Sequence, residues 1–157
     1  MPIFDQNNLS QLNFKFKLAR TPEIEFRAQS VDIPGLSLGA ISMPTPHVPY
    51  AVPGNMTYGD LKINFLVGEN MKDYLEIYNW MVALGHPDDF DQYQDIKSDC
   101  SVAILDSNLN ANINMRFTDA FPIDLSGVSF DTTLSQTQYV TASVTFRYTR
   151  WYVESFV

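Results

Sequence analysis

Only one stretch of this chain carries the spacing of a long helix. Tyr74, Ile77, Met81 and Leu84 recur every three to four residues, with Tyr78 and Trp80 flanking that stripe. Asn70 stands where an N-cap is wanted, and Asp73 in the first turn suits the positive end of the helix dipole. Gly85 follows the last apolar position and Pro87 prevents resumption. The spacing predicts a helix over 71–84. Nearly everything else alternates at period two or is broken by proline. The chain must therefore be mainly β. Strand groups on either side of one helix imply an antiparallel β-sandwich or barrel with a single flanking α-helix.

The alternating runs are easily placed. Phe14, Phe16 and Leu18 share a face opposite Lys15 and Lys17. Arg20-Thr21-Pro22 reads as a turn into a second alternating run, Glu23–Ala28, so the two predict a hairpin. Leu61, Ile63, Phe65 and Val67 define a further strand. Ser101–Leu105 and Asn112–Phe117 are two more, joined by a turn at Ser107–Asn110. An extended piece starts at Phe121 and runs to about Phe130, and Tyr139–Tyr152 is the longest run, dense in β-branched and aromatic residues. Phe14, Phe16, Ile63, Phe65, Ile77, Trp80, Val144 and Phe146 are the expected core.

Proline governs the segment between the early strands. Pro34-Gly35 is the sequence of a type II turn, and Pro44, Pro46, Pro49 and Pro53 follow closely. Proline fixes φ and removes a donor, so residues 34–57 are expected to be an extended loop. A flexible linker has little use for apolar side chains, yet Leu36, Leu38, Ile41, Met43, Val48, Tyr50 and Val52 are spread through it. The expectation is an ordered arm or long hairpin that packs on a neighbouring subunit. Pro34 and those seven residues are the candidate inter-subunit contacts. The polar residues 1–12 read as an N-terminal arm, and 1–157 as one domain.

Eighteen acidic against ten basic residues leave a formal charge of -8, which argues against a phosphate-gripping nucleic-acid binder. No run approaches the roughly 20 apolar residues of a membrane span, so no membrane partner is expected. The first residues have neither a basic head nor an apolar secretory core. Cys100 is the single cysteine, which fits a reducing origin.

Candidate chemistry is sparse. His47 and His86 are the two histidines, and no Cys/His cluster has metal-ligand spacing. Cys100 with a distant histidine is more readily a small strand residue than a nucleophile. Asp88, Asp89, Asp91 and Asp95 could offer oxygen ligands to calcium, but the loop lacks the glycine and closing glutamate of an EF-hand. No phosphate-binding glycine loop is present. The residues thus argue for a non-catalytic protein with no cofactor and no metal. A small metal-dependent hydrolase and a monomeric β-sandwich binding module remain open as other classes.

Four blocks, in order, resemble the tail tube proteins of contractile-tailed bacteriophages. They are Phe26 followed by Gln29-Ser30-Val31-Asp32-Ile33-Pro34-Gly35-Leu36-Ser37-Leu38-Gly39, Tyr58–Asn70 with its strand and acidic end, Tyr74–Met81 with Trp80, and Val144–Tyr152. Together they cover most of residues 13–152. The resemblance implies a β-sandwich protomer, six of which join sheets into a hexameric ring, with rings stacked into a tube. It implies sheath, baseplate and tape-measure proteins as partners, DNA passing transiently through the lumen without specific binding, and a virion tail assembled in the host cytoplasm. The same fold also serves single-ring baseplate hub and tube-initiator proteins. The proline-rich segment is then the part that reaches an adjacent ring. Thr141, Ser143, Thr145 and Arg147, which alternate with core positions in the last run, become lumen candidates. The negative charge gains a use in that setting, since a conduit should repel phosphates.

Overall fold

The computed structural model describes residues 9–89 and 96–155. In chain order the elements are β1 (Phe14–Leu18), α1 (Pro22–Arg27), β2 (Ala28–Asp32), β3 (Leu36–Met43), β4 (Tyr50–Tyr58), β5 (Leu61–Leu66), α2 (Lys72–Gly85), β6 (Ser98–Leu105), β7 (Ala111–Leu125), β8 (Thr141–Arg147) and β9 (Arg150–Ser155). The molecule is mainly β and every strand pair is antiparallel.

Seven strands form two facing layers. One holds β1, β6, the first half of β7, and β9. The other holds β2, β5, β8 and the end of β7. β7 belongs to both because it bends at Asp119, which sits at φ 54. β8 and β9 follow the same bend at Tyr148-Thr149, where the Thr149 amide donates to the Thr118 carbonyl at 3.0 Å. The layers are thus continuous along one side, and open along the other between the edge strands β1 and β2.

Alternation explains the core. Leu61, Ile63 and Phe65 of β5 and Ala142, Val144 and Phe146 of β8 point between the layers, and Phe16, Val102 and Phe117 meet them from the other layer. α2 adds Ile77 and Trp80. The Trp80 ring lies 5.9 Å from Phe146, while its indole N–H donates to the Ile96 carbonyl at 2.7 Å. Of the expected core, seven residues are buried; Phe14 is only half-buried, at the open side.

Several local expectations change. Glu23–Arg27 is helical, not extended, because Pro22 opens a short helix at a position where its missing N–H costs nothing. β1 therefore pairs with β6 rather than with the next segment. No glycine has positive φ, so Pro34-Gly35 is not a type II turn and Gly85 does not cap α2 in the left-handed region. Gly35 instead passes straight into β3, and its carbonyl accepts from the Gly59 amide. Met71, at φ 52, occupies the N-cap position of α2, while the Asn70 side chain accepts from the Lys72 amide at 3.3 Å. The long last run is split at Tyr148-Thr149, and the inward parity changes from Phe146 in β8 to Trp151 in β9.

Candidate assembly surfaces

The proline-rich segment is a free-standing two-stranded ribbon. Among the described residues, β3 and β4 pair only with each other. Leu36 and Leu38 stand opposite Tyr58 and Met56, and Ile41 and Met43 opposite Val52 and Tyr50. Between the two sets, Met56 to Pro53 spans three steps while Leu38 to Ala40 spans two. This one-residue slip shifts the side-chain parity. The foot pairs and the tip pairs consequently lie on opposite faces of the ribbon. Gly39 and Gly54 sit at the slip, and a Cβ on Gly54 would come within 3.0 Å of the Gly39 carbonyl oxygen. The ribbon is therefore apolar on both faces in turn, with Leu38 56% and Ile41 57% exposed. Pro44, Pro46 and Pro49 shape the tip, where Thr45 Oγ1 and Val48 exchange hydrogen bonds. No residue from Leu36 to Tyr58 is charged.

The foot is fixed to the sandwich. Tyr148 donates its hydroxyl to the Gly59 carbonyl at 2.7 Å, and its ring meets Tyr58 edge-on at 6.1 Å. Arg147 pairs with Asp60 at 3.2 Å. Burial first, then Asp60 and neighbouring groups, pushes the Tyr148 phenol up to about 12, so it stays a donor. Pro34 is buried at this foot beside Gly59, while Leu36, Leu38, Ile41, Met43, Val48 and Tyr50 are exposed along the ribbon and Val52 is half-buried.

A second surface is the outer face of the β2-β5-β8-β7 layer. Thr141, Ser143, Thr145 and Arg147 alternate with the buried β8 residues and do share this face. Their neighbours are Asn64 and Lys62 on β5, with Ser30 and Asp32 beyond. Asn64 donates to the Ser30 hydroxyl at 2.7 Å, and the Ser143 amide donates to the Ser126 hydroxyl at 2.8 Å. The face is mostly hydroxyl and amide. Both edges of this layer, β2 and the 121–125 part of β7, carry no further strand among the described residues.

Charge is concentrated elsewhere. Between residues 69 and 95 lie seven carboxylates and only Lys72, six of the eight net negative charges. Leu75, Tyr78 and Val82 make an exposed apolar stripe on α2, which carries Asp73 and Glu76 of that set. Asp73 is the buried exception. It accepts from the Gly68 amide at 3.2 Å and the Tyr74 amide at 2.9 Å, and faces Arg27 at 3.8 Å, tying α1 to the start of α2.

The catalytic alternatives find little support. Cys100 is buried, and that burial, with Asp99 beside it, pushes its thiol up to about 12, the opposite of an activated nucleophile. Among the described residues no group of three His, Cys, Asp or Glu could hold a metal. Asp91 and Asp95 lie outside the described residues; Asp88 and Asp89 lie within them. A groove of about 400 Å³ runs between the free edges of β1 and β2, lined by Phe14, Val31, Val102 and Ile104. It has the form of an open seam in the sandwich, without convergent charged groups.

A sandwich with packed helices, free sheet edges among the described residues and a projecting apolar ribbon defines the class of fold. The family described as phage tail tube protein matches residues 3–154, so the chain belongs to that family. The fold is shared with parts of contractile injection machines. A chain of the anti-feeding prophage cap, a tube-terminating cap, superposes with a TM-score of 0.76 at 15% identity, covering 99% of this chain and 96% of its own. A chain of an extracellular contractile injection system, solved as a sheath–tube complex in the extended state, gives 0.74 at 14% identity, covering 96% and 94%. A chain of the anti-feeding prophage baseplate gives 0.71 at 10% identity, covering 96% and 97%. No curated protein sequence matches the chain. The protein is thus a structural, tail-tube-type component.

Sequence reasoning had named the ribbon and the β8 face. It missed the clamp at Tyr148 and the bend at Asp119. Both rest on strand pairs far apart in sequence, and neither has a local signal.

Proposed function

We propose that this chain is the repeated subunit of a contractile tail tube. Six copies close a ring, the rings stack, and the resulting conduit passes DNA during ejection. The observation that carries the reading is the ribbon, charge-free and apolar on both faces, projecting from a member of the tail tube family. In water such a ribbon has no stable partner in its own protomer, and burying it between rings removes it from solvent.

Ring closure follows from the sheet edges. β2 of one protomer and the 121–125 edge of the next would pair, turning two aggregation-prone edges into one continuous inner barrel. The hydroxyl-rich face with Thr141, Ser143 and Thr145 would then line the lumen. That wall would be close to neutral, carrying Asp32, Asp60 and Asp124 against Lys62 and Arg147. A neutral hydroxyl surface neither grips phosphates nor releases counterions on contact. The α2 side, with its stripe of Leu75, Tyr78 and Val82, would face outward, toward sheath and baseplate proteins. The tape-measure protein would fill the lumen before DNA does, and the particle would assemble in the host cytoplasm. The whole chain, 1–157, acts as one unit in this scheme.

A single-ring baseplate component is the second reading, favoured by the likeness of the fold to a baseplate chain at a TM-score of 0.71. Electron microscopy of the purified chain, with the copy number per particle, tests both. Tubes and many copies are expected. A ring that never grows, at about six copies, supports the baseplate role. A compact monomer absent from tails ends both readings.

A further inference from the structure

The ribbon needs a receptor, and the molecule carries a second surface of the same unusual chemistry. β7 and β8 are neighbours in the sheet, yet the connection between them, residues 126–140, is long for two adjacent antiparallel strands. Its ends are pinned: the Ser126 amide donates to the Ser143 carbonyl at 2.9 Å, Tyr74 donates its hydroxyl to the Ser126 carbonyl at 3.1 Å, and the Val67 amide donates to the Val140 carbonyl at 2.9 Å. It presents Phe130, Leu134 and, beside its pinned end, Tyr139 to solvent, at 75%, 50% and 83% exposure. One charged residue, Asp131, occurs in it, and that carboxylate is held by the amide and hydroxyl of Thr133.

The placement of the two surfaces decides the argument. Both feet of the ribbon meet the layer where Asp32 faces Lys62 and Leu61 faces Phe146. The 126–140 connection leaves and returns at the other end of the same strands, where Leu66 faces Thr141. Six residues of β5 separate them, which is roughly 20 Å at about 3.4 Å per residue. Each protomer thus has a charge-poor apolar projection at one end and a charge-poor apolar patch at the opposite end. In copies carrying a net charge of -8 each, these are the two surfaces that can meet without opposing carboxylates. Two different patches on opposite ends form a heterologous contact, which does not close on itself and propagates along the axis.

We infer that the ribbon of one copy docks on the 126–140 connection of the copy beyond it, with Phe130, Leu134 and Tyr139 as the receptor for the tip face that carries Ile41, Met43 and Tyr50. This rests on the stacked-ring reading above and names the receiving surface within it.

Two variants of the full chain test it. One combines Phe130→Ser, Leu134→Ser and Tyr139→Ser; the other combines Ile41→Ser and Tyr50→Ser. Each alone is expected to melt as the parent does, form rings by light scattering, and lose tubes. Mixed, the two preformed rings have one good surface each, so they should form ring pairs and stop there. Should the triple variant fail to melt cooperatively, Phe130→Ser alone takes its place, with at least a tenfold loss of sedimentable tube expected. Tubes that form undiminished from the Phe130 variant, or mixed rings that never pair, overturn the receptor while leaving the stacked tube intact. A parent chain that forms no tubes overturns both.

Discussion

The ribbon β3–β4 and the pair β5–β8 are built alike and finish differently. Both are antiparallel, both alternate, and both carry large aliphatic and aromatic residues at regular spacing. In β5–β8 those residues are sealed between two layers, with Ile63, Phe65, Val144 and Phe146 fully buried. In the ribbon the matching residues stand in solvent. Their polar positions differ too. β5 and β8 place Lys62, Asn64, Ser143 and Arg147 on the solvent side, whereas the ribbon spends no charge on either face. A strand that ends against water carries groups that water can hold. A strand that ends against another chain has reason to omit them. On the proposed assembly, the difference between the two pairs is a difference in final partner, written in the polar residues more than in the apolar ones.

Substitution should separate them most sharply. Phe146→Ala removes a fully buried ring that touches Trp80 and should cost about 3–5 kcal/mol of unfolding free energy. Ile41→Ala, at a site 57% exposed, should stay within about 0.5 kcal/mol for the isolated chain. Urea titration of both checks this. A ribbon variant as damaging as Phe146→Ala would mean that the ribbon belongs to the protomer's own core.

This contrast also shows what the sequence could and could not disclose. Period-two spacing placed β1, β5 and β6, and the 3.6 spacing placed α2 to within about a residue. The proline-rich segment was legible as an ordered ribbon because its apolar residues had no other use. Glu23–Arg27 was misread because a five-residue stretch alternating Glu with Ile and Phe fits either period, and Pro22 decides in favour of helix. The hairpin expected there failed with it, since β1 finds its partner some eighty residues later in β6. The continuous run 139–152 hid a bend, because Tyr148-Thr149 is ordinary strand sequence and the turn is dictated by Asp119 on the adjacent strand. That the ribbon and the 126–140 connection leave opposite ends of the same strands has no local signal and is visible only in the sheet register.

Alkaline pH probes the buried side of the comparison without mutation. Cys100 rises from 9.0 to about 12 and Tyr148 from 10.0 to about 12, burial being the first cause for each. A raised folded value means the protonated group is retained in the native state after the unfolded chain has lost its proton. Stability is therefore complete below pH 9 and falls as pH rises toward 12, by up to about 1.4 kcal/mol per pH unit for each proton held. The Cys100→Ala variant should delay the onset of that fall by about one unit, from the cysteine's range to the tyrosine's. Thermal melts at stepped pH read this directly. An onset unmoved in the variant would show that the thiol is not sealed in the core.

A modest effect on stability belongs to a residue that joins the two regions. Tyr148 closes the inner end of β8 and grips the ribbon foot through the Gly59 carbonyl. Tyr148→Phe keeps the ring against Phe117 and Tyr58 and removes only the hydroxyl. The lost bond leaves a carbonyl at an exposed glycine, where water can replace the donor, so unfolding free energy should drop by only about 1 kcal/mol. The consequence for the ribbon should be larger than that figure suggests. A lever some eight residues long, held at its foot by this hydroxyl, the Arg147–Asp60 pair and the Gly59–Gly35 bond, magnifies any loosening toward its tip. Amide exchange in β3–β4 should accelerate in the variant while β5 and β8 remain unchanged, and tubes should form more slowly from rings of normal size. Uniform acceleration across all four strands would mean that Tyr148 acts as core packing and that the ribbon is aimed by something else.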